Sequence, residues 1–427
     1  MKNNFTRYII FWLSQALSQL GSSMTSFALI LWAYTQNGSA MTVSLMSFCN
    51  YMPYIIVSLF AGAFVDTHSK KKIMLVADCV AAACAAVVLA FSATDGLQIY
   101  HIYLVNAVIG FMNAFQGPAS AVAVGKIVPQ EKLSQISGMN SFSSNLNTVL
   151  SPVLASALFV LGGLKLMLVI DLATFVLAFV VLFFVIHVPE ELKAGGERKS
   201  IFAGAKEGFA YLKQHSVIRT LVITMAFINF VSRLTYENIL SPMILARSGN
   251  DSMVLGAVNA AMGIAGIVGG VIVATGKFRK NPRAMIYVSA MLSFLLGDIT
   301  MGLGRNVWIW FFGAMMASIF IPFIMAGQNI ILYGEVPTEI QGRIFAVRNA
   351  LQYSTIPVGI LLGGFLADYV FEPFMQGESA VAGMLQTVVG TGAGSGMAVM
   401  FLCTGIAGSV FSFVAYRKVK AHKLGFA

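Results

Sequence analysis

Charged residues are scarce in this chain. They make up only 10% of its 427 residues, whereas a soluble domain usually carries about 25%. Hydrophobic residues account for 58% and the mean hydropathy is +0.81, which excludes an ordinary soluble domain and indicates a polytopic membrane protein. The basic residues are spread over short loops between apolar runs, so the net charge of +10 indicates membrane orientation and argues against nucleic-acid binding.

The patterns of metal sites and common active sites are also missing. The four cysteines lie inside apolar runs without metal-ligand spacing, which predicts structural burial and no metal site. No HExxH, GxSxG or paired-acid pattern occurs, and no repeated pore motif, so an intramembrane enzyme or a channel is disfavoured. The glycine-rich stretch at 390–396 lacks the GK[ST] ending of a phosphate loop, and we expect no cofactor.

Long apolar runs dominate what is present. A membrane-spanning helix needs about 20 apolar residues. Twelve runs meet this length and predict an all-α integral membrane fold, with a first helix that is retained because no small-residue cleavage site follows it. The predicted spans are 8–34, 41–65, 73–93, 99–124, 134–160, 164–187, 217–245, 252–276, 284–304, 307–333, 344–370 and 395–416.

The positive charges predict the orientation of these spans. With both termini in the cytoplasm, 23 of the 27 lysines and arginines fall on the cytoplasmic side. Lys165, Arg247 and Arg305 fall outside, and Arg233 lies within a span. Because cytoplasmic loops are enriched in lysine and arginine, we expect a plasma (inner) membrane protein with two cytoplasmic termini.

The most polar segment, 188–199, predicts a boundary between two halves. We expect an N-terminal six-helix bundle at 1–187, a cytoplasmic linker at 188–216 and a C-terminal six-helix bundle at 217–427. Within the linker, apolar residues recur at helical spacing and predict an amphipathic helix on the cytoplasmic surface, which would act as a brace. These residues are Ile201, Ala205, Phe209 and Leu212.

The two halves share short sequence matches at a nearly constant offset. The stretch that begins at Gly62 returns at Gly270, and Val-Pro-Gln-Glu at 128–131 returns as Val-Pro-Thr-Glu at 336–339, both 208 residues later. A looser match around Pro152 and Pro357 has an offset of 205 residues. These matches predict two parallel six-helix repeats.

The motifs resemble those of the major facilitator superfamily. The resemblance rests on a GxxxD turn followed by lysines, the two Val-Pro-x-Glu motifs, the Gly342-Arg343 pair that opens the eleventh span, and the charged linker. The combination is similar to the drug-efflux branch that contains macrolide efflux proteins and the enterobactin exporter. The resemblance implies a monomeric two-bundle transporter that works by alternating access, is usually coupled to protons and uses no ATP.

The chain also departs from the family pattern. Thr67 and Ser69 replace an arginine and a glycine of the usual loop. Ser22 and Ser23 stand where many relatives carry an acid, and the fourth span has no arginine. The proton-coupling residues therefore cannot be transferred from the family positions.

The resemblance implies a cytoplasmic gate at the loop after the second span. Asp66 would hold the gate closed, and Arg348 near the start of the eleventh span would be its partner. Ala274 replaces the aspartate in the second repeat, so the acidic lock is expected only in the first half. A solvated topology signal is the alternative interpretation. The predicted gate residues are Gly62, Asp66, Lys70, Lys71 and Arg348.

Ionisable residues inside the spans are candidates for proton coupling, because such residues are costly in a bilayer. Arg233 and Glu237, with Asn229 one turn earlier, form a polar stripe that serves either as a packing ion pair or as a coupling site. Asp298 and Asp171 are the other candidates, and a neutral packing role is open for Asp298. We expect Asp78 and Asp368 to be structural, with Asp78 paired to the lysine loop.

Uncharged polar residues on shared helix faces predict the substrate cavity, although hydrogen bonding between helices would produce the same pattern. The candidates are Gln15, Gln19, Ser22, Asn113, Gln116, Asn140, Asn147, Asn229, Gln328 and Asn329.

Together these features favour a secondary transporter that exports an amphipathic small molecule, such as a drug or a siderophore-like compound, in exchange for protons. An importer or a lipid translocator on the same scaffold remains the alternative.

Overall fold

The computed structural model describes residues 2–127, 133–186, 209–277, 281–337 and 340–421. Within these ranges every regular element is helical and no strand occurs. This is the architecture that a bilayer imposes, because backbone groups in hydrocarbon must be hydrogen-bonded within their own segment. The described part of the chain is therefore all-α, as the composition predicts.

Five helices precede the linker. They are α1 (Lys2–Asn37), α2 (Ala40–Thr67), α3 (Lys70–Ala93), α4 (Ile99–Ile127) and α5 (Leu133–Val180), and α5 continues into a π-helical turn (Val181–Val185). Gly163 has φ 59° and ψ −157°, so α5 consists of two helices that meet at a kink. This left-handed backbone favours glycine, and it lies where the fifth and sixth predicted spans meet.

The helices after the linker are shorter and more often interrupted. They are α6 (Ser216–Arg233), α7 (Leu240–Ser248), α8 (Ser252–Ala274), α9 (Pro282–Leu292), α10 (Ile299–Leu303), α11 (Val307–Ile319), α12 (Ile321–Glu335), α13 (Gln341–Leu366), α14 (Glu372–Gln376), α15 (Ala380–Val389) and α16 (Ser395–Ala421). π-helical turns join α9 to α10 (Ser293–Asp298) and α13 to α14 (Ala367–Phe371).

Several helices begin at a side chain that caps the free backbone N–H groups of the first turn. Ser69 accepts from the Lys72 N–H at the start of α3, and Asp251 accepts from the Met253 N–H at the start of α8, at 2.8 Å. Asn306 and Ser379 cap α11 and α15 in the same way. These residues lie between apolar runs, so the sequence itself marks where each helix starts.

Ten helices in the described ranges are long and apolar enough to cross a membrane. One of them, Phe142–Val185, has 44 residues and covers two predicted spans, while α1 is not among the ten. The helices are therefore consistent with the twelve predicted spans.

The seventh predicted span, 217–245, is not one continuous helix. It breaks into α6 and α7 around a turn at 234–239. Pro242 has no N–H to donate to the carbonyl of Asn238, which disfavours a continuous helix through this point. The Asn238 side chain is buried there and donates to the Ile360 carbonyl at 2.7 Å.

The chain forms two compact units. The first comprises Met1–Gly38 and Leu45–Gly196, and the second comprises Ser39–Ser44 and Glu197–Ala427. In the first unit α1 packs along α5 and α3 packs against α4. In the second unit α8 packs against α11, α9 against α12 and α16, and α6 against α13. The first turn of α2 thus belongs to the second unit.

Three predictions fall outside the described residues. They concern most of the linker with its amphipathic helix, the Val-Pro-Gln-Glu motif at 128–131 together with the part of the second motif after Pro337, and the end of the repeated stretch that begins at Gly270. The predicted boundary between the halves therefore stays a prediction.

Candidate functional site: a polar cavity in the first unit

The first unit contains a cavity of about 840 Å³. Residues of α1, α2, α3 and α4 and of both parts of α5 line it. Its wall combines aromatic and aliphatic surface with amide and hydroxyl groups, which is the composition of small-molecule sites. The amide-bearing lining residues are Gln15, Gln19, Asn50, Asn106, Asn113, Gln116 and Asn140.

Six of the residues predicted to form the substrate cavity line this space: Gln15, Gln19, Ser22, Asn113, Gln116 and Asn140. Asn147 lies behind the wall. Its amide donates to the hydroxyl of Ser23 at 2.8 Å, and Ser23 is itself a lining residue. The polar faces of the first, fourth and fifth predicted spans therefore converge on one cavity.

The three candidates in the second unit are not part of this cavity. Gln328 is buried on α12, and its Nε2 has no hydrogen-bond partner among the described residues. Asn329 is exposed on the same helix, and Asn229 is half-buried on α6. Their role in substrate binding stays a prediction.

Asp78 on α3 lines the cavity, and its environment differs from the one we expected. The amide Nε2 of Gln116 on α4 donates to Asp78 Oδ1, while Oδ2 is buried without a hydrogen bond. The expected pairing with the lysine loop is wrong, because Asp78 lies two turns into α3, on the side that faces α4. Neither Asp78 nor Asn50 nor Asn106 was predicted as a cavity residue, although each is a polar residue within an apolar run.

Asp171, in the second part of α5, is the other acidic lining residue. Only 8% of its surface is exposed, and the Ser22 hydroxyl on α1 donates to Oδ1 at 2.9 Å. The carboxylate therefore links α1 to α5 through a hydrogen bond. Its predicted part in proton coupling stays a prediction.

The predicted gate residues of the first unit surround the turn between α2 and α3. Lys70 is buried at the start of α3, and Gly62 lies near the end of α2, where an added Cβ would meet no atom within 4 Å. The ammonium of Lys71 donates to the carbonyls of Phe183 at 2.8 Å and Ile186 at 2.7 Å. A cation at this position compensates the unpaired carbonyls at a helix C-terminus.

The other two predicted gate residues are Asp66, near the end of α2, and Arg348 on α13. The side chain of Asp66 lies outside the described residues. Arg348 on α13 donates to Asn349 Oδ1 at 2.8 and 3.1 Å, and its guanidinium lies 5.2 Å from the Phe345 ring centre. The pairing of Asp66 with Arg348 stays a prediction.

Arg233 and Glu237 form an ion pair where α6 ends. It is the one salt bridge among the described residues. The two side chains are 34% and 23% exposed, so the pair is half-buried and its charges neutralise each other locally. Asn229 lies one turn earlier on α6.

Asp298 is fully enclosed in the second unit, with 1% of its surface exposed. Thr404 on α16 donates to Oδ2 at 2.7 Å, and Oδ1 has no hydrogen-bond partner among the described residues. The aspartate ends the π-helical turn Ser293–Asp298. Such turns occur often at functional sites because they redirect a side chain.

Asp368 and two arginines bind backbone groups in the second unit. Asp368 accepts from the Ser39 hydroxyl at 2.6 Å and from the N–H groups of Ala40 and Met41, so it caps the start of α2. Arg247 and Arg305 donate to carbonyls at the end of α15, between 2.5 and 3.0 Å. These contacts fit a structural role for all three residues.

Comparison with known proteins agrees with this architecture. The model of the Major Facilitator Superfamily matches residues 11–360. Macrolide efflux protein A of Streptococcus pyogenes is 24% identical over 375 residues, which cover 85% of this chain and 90% of that protein. The multidrug efflux pump Tap of Mycolicibacterium fortuitum is 26% identical over 371 residues, which cover 82% and 86%.

Solved structures share the fold at low sequence identity. A bacterial homologue of the iron transporter ferroportin, in an inward-facing state, aligns with a TM-score of 0.69 at 14% identity over 96% of this chain and 99% of that one. A bacterial homologue of the lysosomal transporter Spinster gives a TM-score of 0.67 at 13% identity, covering 99% of both chains. The resemblance inferred from the motifs is thereby confirmed, and the chain belongs to the Major Facilitator Superfamily as a multi-pass membrane transporter rather than an enzyme.

Proposed function

We propose that this protein exports amphipathic small molecules from the cytoplasm by alternating access, in exchange for protons. The observation that carries the proposal is the cavity of about 840 Å³ in the first unit. Sites for drug-sized ligands usually measure about 300 to 1,000 Å³ and combine apolar walls with a few polar groups. The efflux names of the relatives support the outward direction.

Proton coupling is supported by acids that have no cationic partner. Asp78, Asp171 and Asp298 lie within apolar helices, and none forms a salt bridge among the described residues. An ionised carboxylate is costly in such surroundings, whereas a protonated one is tolerated. A carboxyl group that alternates between a proton and another ligand is what an exchanger requires.

The proposal includes the setting of the protein. It acts as a monomer in the plasma membrane with both termini in the cytoplasm, which places the basic turn between α2 and α3 on the cytoplasmic side. The enrichment of lysine and arginine in cytoplasmic loops supports this orientation.

Transport by the purified protein in liposomes tests the proposal. With an acidic lumen, an exchanger accumulates substrate inside while protons leave, so the lumen becomes more alkaline. The panel contains a macrolide, a permanently charged dye, a siderophore-like chelate and a fluorescent lipid. Protein-free liposomes are needed as a control, because weak bases accumulate passively in an acidic lumen.

Each outcome of this experiment has a defined meaning. Protein-dependent accumulation that a protonophore abolishes supports proton exchange. Accumulation driven by an acidic exterior instead indicates a proton-coupled importer, and movement of the lipid between leaflets indicates a lipid translocator. Flux that does not depend on the proton gradient, or no flux with any compound, contradicts the proposal.

A further inference from the structure

We propose that α15 (Ala380–Val389) is an interfacial helix whose face formed by Val381, Met384 and Val388 lies in the lipid bilayer. The partner of this surface is the lipid of the leaflet that the proposed orientation places outside. The proposal depends neither on the substrate nor on proton coupling.

The length and composition of α15 are the first observation. Its 10 residues contain no charged side chain. At a rise of about 1.5 Å per residue they extend over only about 15 Å. The hydrocarbon core of a bilayer is about 30 Å thick, so α15 cannot cross it. A short apolar helix in the connection between two spans is suited instead to lie along the membrane surface.

The exposure of residues around α15 is the second observation. Val381, Met384 and Val388 recur at helical spacing and are 58%, 72% and 45% exposed. Ala382 and Val389, on the other side of the helix, are fully buried, and α15 packs against α14 and α16. One side of the helix therefore belongs to the protein core, while an apolar face is presented outward. Contiguous exposed apolar surface marks an interaction site.

Polar contacts hold this face in a fixed position. Ser379 caps the first turn of α15, and the amide of Gln386 donates to the Met375 carbonyl on α14 at 2.7 Å. At the other end, Arg247 and Arg305 bind the last carbonyls of the helix. The apolar face is therefore a built part of the second unit and not a consequence of a loose loop.

Neighbouring residues place α15 at the level of the bilayer surface. Trp308, in the first turn of α11, is 79% exposed, and Tyr369, just after α13, is 65% exposed. Tryptophan and tyrosine are enriched where a span meets the headgroups. Arg305, three residues before Trp308, donates to the carbonyls of Thr387 and Val388 at 2.7 and 3.0 Å. This contact keeps the end of α15 near the level of Trp308.

The charge beside α15 matches a lipid surface. Interfacial helices usually carry lysine or arginine next to their apolar face. Here Arg247 on α7 and Arg305 between α10 and α11 supply the positive charge. Arg305 is exposed, so its guanidinium can also interact with lipid phosphates. A protein partner would have to desolvate this charge, whereas the headgroup layer keeps it hydrated. Lipid is therefore the occupant that we assign.

Lipids with a nitroxide on the acyl chain near the headgroup test the proposal, because a nitroxide quenches a nearby fluorophore. The four native cysteines are replaced, Met384→Cys is labelled with bimane, and the full chain is placed in phosphatidylcholine nanodiscs. We expect the nitroxide lipid to lower the emission at least about twofold, since an interfacial helix buries its apolar face about 5 to 10 Å deep. Ile406→Cys on α16 is the lipid-facing control, and Glu378→Cys, exposed just before α15, is the aqueous control.

Each result supports the proposal or overturns it. Quenching at position 384 that equals the quenching at position 406 and exceeds that at position 378 supports lipid contact. Quenching at position 384 by aqueous iodide alone means that the face lies in water, which overturns the proposal. Protection from both quenchers means that protein covers the face, and this also overturns it. Crosslinking of two Met384→Cys chains by a bifunctional maleimide would then identify the cover as a second copy.

A charge on the same face provides a second test with the label at another position. With bimane on Val388→Cys, Met384→Glu should reduce lipid quenching to the level at position 378, because an ionised side chain avoids the hydrocarbon boundary. Met384 is 72% exposed, so this substitution leaves the core intact. Gln376→Glu adds the same charge at an exposed position on α14 and should leave the quenching unchanged. Equal quenching in both variants would overturn the proposal.

Discussion

The hydroxyl of Thr404 donates a hydrogen bond to Oδ2 of Asp298, with the two oxygens 2.7 Å apart. Asp298 is otherwise enclosed by apolar helices, and its second oxygen has no partner among the described residues. The hydroxyl of Tyr236 is close enough to interact electrostatically with the carboxyl group. The aspartate is thus held in place by neutral groups, an environment in which it can take up a proton without breaking an ion pair.

Replacing Asp298 should therefore separate transport from the proton gradient. We expect Asp298→Asn to reduce gradient-driven accumulation by about tenfold or more, because asparagine keeps the shape and the bond from Thr404 but cannot exchange a proton. Substrate affinity measured without a gradient should stay the same, since Asp298 is not a lining residue of the cavity. If Asp298→Asn transports as well as the parent, Asp298 is a packing residue.

The ion pair of Arg233 and Glu237 allows a test that distinguishes packing from coupling. Glu237→Gln and Arg233→Gln should each destabilise the protein by about 1 kcal/mol, because each breaks the half-buried ion pair between the two side chains. The double substitution removes both charges and should recover most of that stability. Thermal unfolding in detergent measures all three variants.

Transport by the same variants shows which role applies. If Glu237 carries a proton, the double variant regains stability but stays impaired in gradient-driven transport. If the pair only packs α6, transport recovers together with stability. We expect the first result, and full recovery of transport in the double variant would remove Glu237 from the coupling mechanism.

The helices were predictable because hydrocarbon allows few alternatives. An apolar run of about 20 residues must be helical in a bilayer. The third span is an example: the predicted range is 73–93, and the helix is Lys70–Ala93. Interruptions were harder to predict, because the break at 234–239 and the turn Ser293–Asp298 depend on how neighbouring helices bind the released backbone groups.

The sequence predicted which helix faces line the cavity, but it did not predict which side chains form hydrogen bonds between neighbouring helices. Helical spacing places Gln15, Gln19 and Ser22 on one side of α1, and all three line the cavity. The bond from Gln116 to Asp78 was missed, because it depends on how α3 and α4 are rotated relative to each other. Sequence spacing within one helix contains no information on that rotation. The nearby lysines therefore suggested an ion pair with Asp78, whereas the fold places Gln116 beside this carboxyl group.

Asp368 should contribute measurably to stability. Its carboxylate accepts from Ser39 and from two backbone N–H groups at the start of α2. We expect Asp368→Ala to destabilise the protein by about 1 to 2 kcal/mol, which is typical of a lost helix cap that also interacts with the helix dipole. Thermal unfolding measures the effect, with Asp95→Asn as the control variant because Asp95 is exposed in the connection between α3 and α4. An unchanged unfolding temperature would mean that water replaces the cap without loss.

Asp66 provides the test of the predicted cytoplasmic gate. We expect Asp66→Asn to weaken the closed state, because it removes the charge proposed to interact with Arg348. The loss of a charge-assisted contact is worth about 1.5 to 3 kcal/mol, so the inward-open population should rise by about tenfold or more. The four native cysteines are first replaced, since Cys79 and Cys403 are exposed and the burial predicted for the cysteines is wrong for these two.

The cavity itself supplies the position for the probe. Ser120 is a lining residue on α4, so Ser120→Cys reports whether a membrane-impermeant maleimide reaches the cavity from the cytoplasmic side. Labelling should be faster in the Asp66→Asn background than in the parent and unchanged in the Asp95→Asn background. Equal labelling rates in all three would show that Asp66 does not close the gate. The basic turn would then act only as a signal for membrane orientation, with Lys71 binding the carbonyls of Phe183 and Ile186.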